Sequence, residues 1–198
     1  THRLEEAERE LARLSATVML LRETAGRLQV LLQRRAATLW YAGSWVFPGG
    51  SVDAADGDVA QDLAGAVRRA AIRECREEAG VELADGADAA GLLHWSRWIT
   101  PAGRERRFDT CFFVAALPAG QRITGDACET VESEWFEPET ALEHAASGRM
   151  TLMPPTRMSL LDLQLTHARH GTLADLLQGE RSRPIVPILP RLVGPVEA

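Results

Sequence analysis

Three acidic side chains, Glu74, Glu77 and Glu78, stand close together in the run Arg73-Glu74-Cys75-Arg76-Glu77-Glu78-Ala79-Gly80-Val81. On a helix, with about 100° between residues, their carboxylates share an arc of roughly 100°. Like charges at i,i+4 repel by a few tenths of a kcal/mol each. Arg73, four residues before Glu77, offsets part of this. A hard divalent cation offsets far more, because Mg²⁺ takes carboxylate oxygens together with retained waters and substrate phosphates. Ile72, Cys75 and Ala79 fall on a different, apolar side, so the helix can dock on a sheet while its acids look into a cleft. A solvated helix surface would carry the same charges. The upstream loop favours a site: Pro48 fixes the entry to a turn, and Gly49-Gly50 lets backbone approach a ligand and frees carbonyls for a metal.

The elements that must position these residues follow from the pattern. Leu14 to Leu21 reads as a buried strand, Thr24 to Arg27 as a turn, and Leu28 to Arg34 as the partner strand. Residues 43–57 form a Gly/Pro-rich loop. Asp62 to Ala79 reads as a helix stopped by Gly80. Strands follow at 91–99, 108–116 and 131–136, then a helix from Pro138 to Ser147, a break at Pro154-Pro155, and a helix at about 157–169. Residues 3–13 suit a short charged helix, and the proline-rich stretch 184–195 suits extended chain docked on the domain. Strands with interspersed helices predict an α/β fold. No linker is long enough to divide the chain of 198 residues into two domains.

Composition narrows the function classes. A net charge of −6 disfavours broad binding to nucleic acid. No apolar stretch approaches the roughly 20 residues of a membrane span. Thr1 to Arg13 is charged and lacks the apolar core of a secretion signal. Cys75, Cys111 and Cys128 fit no zinc spacing and read as reduced thiols, which predicts a cytoplasmic protein. His94, His144, His167 and His170 lack ligand spacing, and Ser15, Ser44 and Ser51 lack a triad pattern.

The acidic segment resembles the Nudix box, G-x5-E-x7-R-E-U-x-E-E-x-G-U with U apolar. Its second half is complete: Arg73, Glu74, Cys75, Glu77, Glu78, Gly80 and Val81. The first half departs. Gly50 matches the leading glycine but lies nine residues further from Arg73 than the box allows. Counted back from Arg73, the first glutamate falls at Gly65, leaving Asp53, Asp56 and Asp58 as candidate substitutes. The resemblance implies one Nudix-like α/β/α sandwich with a mixed sheet over residues 1–198, its box at about 50–81 and a C-terminal extension from about 150.

The resemblance further implies hydrolysis of a diphosphate bond. Glu74, Glu77, Glu78 and the Gly50 carbonyl would hold Mg²⁺ or Mn²⁺. Arg73 would orient the carboxylates, and Glu74 or a later glutamate would be the base. Glu132, before Trp135, has the better spacing for an extra acid, and Glu129 is next. Leu31-Leu32-Gln33-Arg34-Arg35, Gly43, Phe47-Pro48-Gly49-Gly50, Asp53 and Asp56 resemble the coenzyme A diphosphatase branch. Gln33 replaces that branch's Thr, and Tyr41 stands where a His is often found.

Downstream, Trp95 to Pro101 and Arg104 to Thr110 resemble longer-insert relatives of that branch, as does Met153-Pro154-Pro155-Thr156. In this stretch arginines suit phosphate and aromatic rings suit adenine, although Trp95, Trp98, Phe112 and Phe113 also suit a strand core, the reading favoured for Phe112. Arg35, Arg97 and Arg107 are the candidate substrate contacts. The substrate so implied is coenzyme A or acyl-coenzyme A. ADP-ribose or NADH is the alternative, and a catalytically silent ligand-binding regulator is a third reading that the intact glutamate set opposes. A small nucleotide diphosphate is the expected partner, with a homodimer as the candidate assembly.

Overall fold

The computed structural model describes residues 12–36, 41–84, 91–104, 106–124 and 130–191. Strand β1 (Arg13–Thr24) shows why the domain has three layers. Its side chains alternate, so Met19 and Leu21 enter one apolar cluster while Ala16, Val18 and Leu20 enter another. Burying both faces requires helices on both sides of the sheet.

The remaining strands are β2 (Arg27–Arg35), β3 (Ser44–Val46), β4 (Gly49–Ser51), β5 (Leu93–Ile99), β6 (Phe108–Ala116), β7 (Thr130–Phe136), β8 (Thr151–Leu152) and β9 (Pro187–Ile188). They join in the order β8-β3-β2-β1-β6-β5-β9, with β4 also on β1 and β7 also on β2. The sheet is mixed: β1 runs parallel to β6, and most other pairs are antiparallel. Helix α1 (Leu63–Ala79) covers one face through Val67, Ala70, Ala71, Cys75 and Ala79. Helices α2 (Pro138–Ala146), α3 (Pro154–His170) and α4 (Leu173–Gly179) cover the other through Ala141, Leu160, Leu163, Leu173 and Leu176. This is the α/β/α sandwich with a mixed sheet.

Several boundaries differ from the sequence reading. Pro154-Pro155 opens α3 rather than preceding it, because proline in the first turn lacks only an N–H that no helical carbonyl would accept. The Gly/Pro loop contains β3, β4 and a one-turn 3-10 helix (Ala54–Asp56). The strand expected from Gly91 starts at Leu93. Helix α4, capped by Thr172 accepting from Asp175 N, was not expected. The proline-rich tail does dock as extended chain, through β9 on β5. Of the helix expected at 3–13, residues 3–11 lie outside the described residues, and Arg13 already belongs to β1. Among the described residues no helix is long and apolar enough to cross a membrane.

Candidate active site

The site sits where β1 and β2 part. Leu21 to Thr24 pair with β2, but Ser15 to Thr17 pair with β4 instead, and β2 turns to β3 through Gln33 and Arg34. The Phe47-Pro48-Gly49-Gly50 run fills the fork, with Val18 N donating to the Pro48 carbonyl at 2.8 Å. The fork has no room for larger residues. A Cβ on Gly49 would stand 2.5 Å from the Ala16 carbonyl oxygen, and one on Gly50 would overlap the Glu74 carboxylate.

Helix α1 starts at Asp62, whose side chain accepts from Gly65 N, and stops at Gly80 with φ 67°. Its buried stripe fixes its rotation, which sends Glu74, Glu77 and Glu78 into a cleft of about 730 Å³ with Gly50 and Arg35 on its walls. The carboxylates are already engaged. Glu74 and Glu77 accept from Arg73 Nη1 at 2.8 and 3.1 Å, and Glu78 accepts from Gly49 N at 2.8 Å. Glu74 is 13 % exposed and Glu77 50 %.

Arg73 is itself held from below. Asp56, only 3 % exposed, accepts from its Nε at 3.0 Å and its Nη2 at 2.9 Å, and the Ser51 carbonyl also accepts from Nη2. Burial opposes ionisation of Asp56, but the hydrogen bonds and charge of Arg73 prevail and hold its carboxyl below the usual range. The same bonds push Arg73 upward, so the guanidinium is a fixed charge.

The three glutamates on one wall offer hard carboxylate oxygens that suit a small dication in kind, and the space beside Gly50 exists only because it lacks a Cβ. Among the described residues no three acidic, imidazole or thiol side chains converge on one point. Glu74, Glu77 and Glu78 therefore share the wall without meeting at one point.

A family model described as the NUDIX domain matches residues 11–154. The chain belongs to the Nudix family. That membership places it among the pyrophosphohydrolases. Putative nudix hydrolase 7 of Caenorhabditis elegans is 27 % identical over 206 residues, covering 88 % of this chain and 67 % of that protein. An acyl-coenzyme A diphosphatase of Homo sapiens is 39 % identical over 91 residues, which are 45 % of this chain and 23 % of that protein. One from Xenopus laevis is 37 % identical over 68 residues, 32 % of this chain and 18 % of that protein. The chain thus matches less than a quarter of the length of these two diphosphatases. A NUDIX hydrolase from Alicyclobacillus acidocaldarius shares the fold, with a TM-score of 0.69, 24 % identity, and 84 % of this chain and 96 % of that one covered.

In the Nudix box, counting forward from Gly50 instead of back from Arg73 puts the first acid at Asp56. The extra nine residues therefore lie between Asp56 and Arg73. Arg69 clasps this insert, donating to the Asp56 carbonyl and pairing with Asp62 at 3.4 Å. Forward counting was the signal that could have singled out Asp56 among the three candidates.

The other expected contacts divide. Arg35 lines the cleft with the glutamates. Arg97 does not: its Nε donates to the buried Asp109 at 2.7 Å, and it borders a separate cavity with His94 and Cys111. Arg107 donates to the Thr100 carbonyl at 3.2 Å and is not on the cleft wall. Glu132 pairs with Arg34 at 3.0 Å, also off the wall, and Glu129 lies outside the described residues. Trp95, Phe112 and Phe113 are core, and none of them lines the cleft. Sequence reasoning missed Arg13, a cleft residue 65 % exposed that reaches Asp53 at 3.9 Å. It also missed the Ser15–Thr110 hydroxyl pair at 2.7 Å on the cleft wall. Neither carries a motif signal, because β1 and β6 meet only in the fold.

Proposed function

We propose that this Nudix enzyme hydrolyses the diphosphate bond of coenzyme A or acyl-coenzyme A with Mg²⁺ or Mn²⁺, releasing 3′,5′-ADP and a 4′-phosphopantetheine product. The observation that carries this reading is the single cleft shared by Glu74, Glu77, Glu78, Gly50 and Arg35. Partial similarity to acyl-coenzyme A diphosphatases supports the substrate.

The three glutamates and the Gly50 carbonyl would hold the cation. When bound, a divalent cation there would neutralise phosphoryl oxygens and lower the pKa of a water. Arg73 orients Glu74 and Glu77 because it bonds both while anchored on Asp56. Glu74, the less exposed of that pair, is the candidate base; Glu132 would serve only if it left Arg34. Arg35 and Arg13 would receive the substrate's phosphates, since both residues border the cleft.

The test is to incubate the protein with Mg²⁺ or Mn²⁺ and a panel of coenzyme A, acyl-coenzyme A, ADP-ribose and NADH, with products identified by mass. Preference for the coenzyme A pair supports the proposal. A clear preference for ADP-ribose overturns the substrate assignment.

A further inference from the structure

Gln33 is a polar side chain in an apolar place. It is 0 % exposed, on a strand whose neighbours Leu31 and Leu32 are core. Three side chains of β2 on the same face, Leu31, Gln33 and Arg35, run in sequence from the α1 core to the cleft wall. Gln33 occupies the middle position. There its Nε2 donates to the main-chain carbonyl of Glu78 at 2.9 Å and to Ser133 Oγ on β7 at 3.2 Å. The carbonyl can only accept, so the amide orientation is fixed. Its Oε1 is buried and has no hydrogen-bond partner among the described residues.

A buried acceptor left without a partner is costly, and a methionine or leucine of similar volume would avoid that cost. Core packing therefore does not explain Gln33. Its position does. The carbonyl it grips belongs to Glu78, near the last turn of α1, where helical carbonyls lack N–H partners within the helix. The Glu78 side chain meanwhile reaches Gly49 N in the fork. A backbone anchor at Glu78 fixes the point from which its carboxylate enters the cleft, and ties the end of α1 to β2 and β7.

We propose that Gln33 is a positioning residue for the acidic helix, holding the Glu78 main chain so that its carboxylate is delivered to the metal-binding wall. This rests on Glu78 being a metal ligand, as proposed above. It predicts a separation of effects that a purely structural residue would not give.

The experiment compares Gln33→Met, Gln33→Leu, Ser133→Ala and Glu78→Gln with wild type, using the full chain, Mn²⁺ as titrant and coenzyme A as substrate. Activity is expressed per folded molecule. Each Gln33 variant should melt near wild type, because relief of the buried Oε1 offsets the lost bond to the Glu78 carbonyl, and should raise half-saturating Mn²⁺ about tenfold and lower kcat about tenfold, as expected for one lost hydrogen bond near the reacting groups. The KM for substrate at saturating Mn²⁺ should stay within about twofold, since Gln33 itself would not touch substrate. Ser133→Ala, which spares the bond to Glu78, should match wild type. If both Gln33 variants retain wild-type Mn²⁺ response and kcat while Glu78→Gln is inactive, the positioning role is overturned and the metal site stands. If one Gln33 variant does not fold, the other decides. If Glu78→Gln keeps wild-type activity and Mn²⁺ response, the metal-site reading falls first, and the Gln33 role with it.

Discussion

Asp56 and Arg73 lock together through both carboxylate oxygens, 17 positions apart in sequence, beneath the acidic face of α1. The pair makes Arg73 a rigid hub from which Glu74 and Glu77 are held, so a residue outside the cleft lining governs the residues within it.

Asp56→Asn removes the charge and keeps the shape. Breaking one side of a buried pair costs about 3 kcal/mol, partly relieved here because Arg73 retains Glu74 and Glu77. The pH dependence has a definite sign. The folded carboxyl lies below its ordinary value of 3.8, so its contribution is present above that value and is lost as pH falls through the lower folded one. Melting temperatures of both proteins from pH 7 to pH 2 should therefore differ at neutral pH and converge in acid. A gap that persists unchanged to pH 2 would refute the ion-pair account.

Adjacent glycines should respond differently. At Gly49 a Cβ meets main chain, 2.5 Å from the Ala16 oxygen and 2.7 Å from Thr17 Cα. Gly49→Ala should therefore destabilise by about 1–3 kcal/mol through forced backbone shifts. At Gly50 the obstacle is the end of the Glu74 side chain, which can move. Gly50→Ala should melt near wild type yet lose at least about tenfold in kcat/KM, the effect of misplacing the carboxylate proposed as the base. Denaturant titration beside steady-state kinetics separates the two.

The two described cysteines should be inert. Burial foremost, with the nearby Glu78 charge, pushes the Cys75 thiol up to about 12; burial likewise takes Cys111 to about 11. Thiolates are the reactive form, so alkylation of native protein at pH 8 should spare both residues until denaturant is added. Peptide mapping checks this; rapid native labelling of Cys75 would contradict its burial.

What the sequence made legible was local. The acidic arc of α1, its Gly80 stop, the β1–β2 hairpin and the coming together of Glu74, Glu77, Glu78, Gly50 and Arg35 all follow from spacing or motif. Contacts made across the sheet were hidden. Arg97 has the chemistry of a phosphate ligand, but one strand later Asp109 comes opposite Ile99 in the β5–β6 register and claims it. Trp95 alternates into the core, where Arg183 from the C-terminal segment lies over its ring at 4.2 Å. The two-residue strands β8 and β9 are too short to carry a period.

That division yields a specificity test. Arg35→Ala should erase a preference for coenzyme A over its 3′-dephospho form, which should be about 10- to 100-fold if one charge-assisted contact serves the 3′-phosphate. Arg97→Ala should leave the preference intact and instead lower stability, because Asp109 would remain buried without its guanidinium. Comparing kcat/KM for both substrates across the two variants decides. Loss of preference in Arg97→Ala alone would reverse the assignment.

The most direct measurement of the central claim is kcat/KM for coenzyme A under saturating Mg²⁺ or Mn²⁺, wild type against Glu77→Gln, with products identified by mass. Glu77 is half exposed and packs no core, so the variant should fold normally. The account predicts 3′,5′-ADP and 4′-phosphopantetheine from wild type and a loss on the order of 10²-fold or more in the variant, since charge on the proposed metal-binding wall would supply several kcal/mol. A variant within about threefold of wild type, a difference well under 1 kcal/mol, would contradict it.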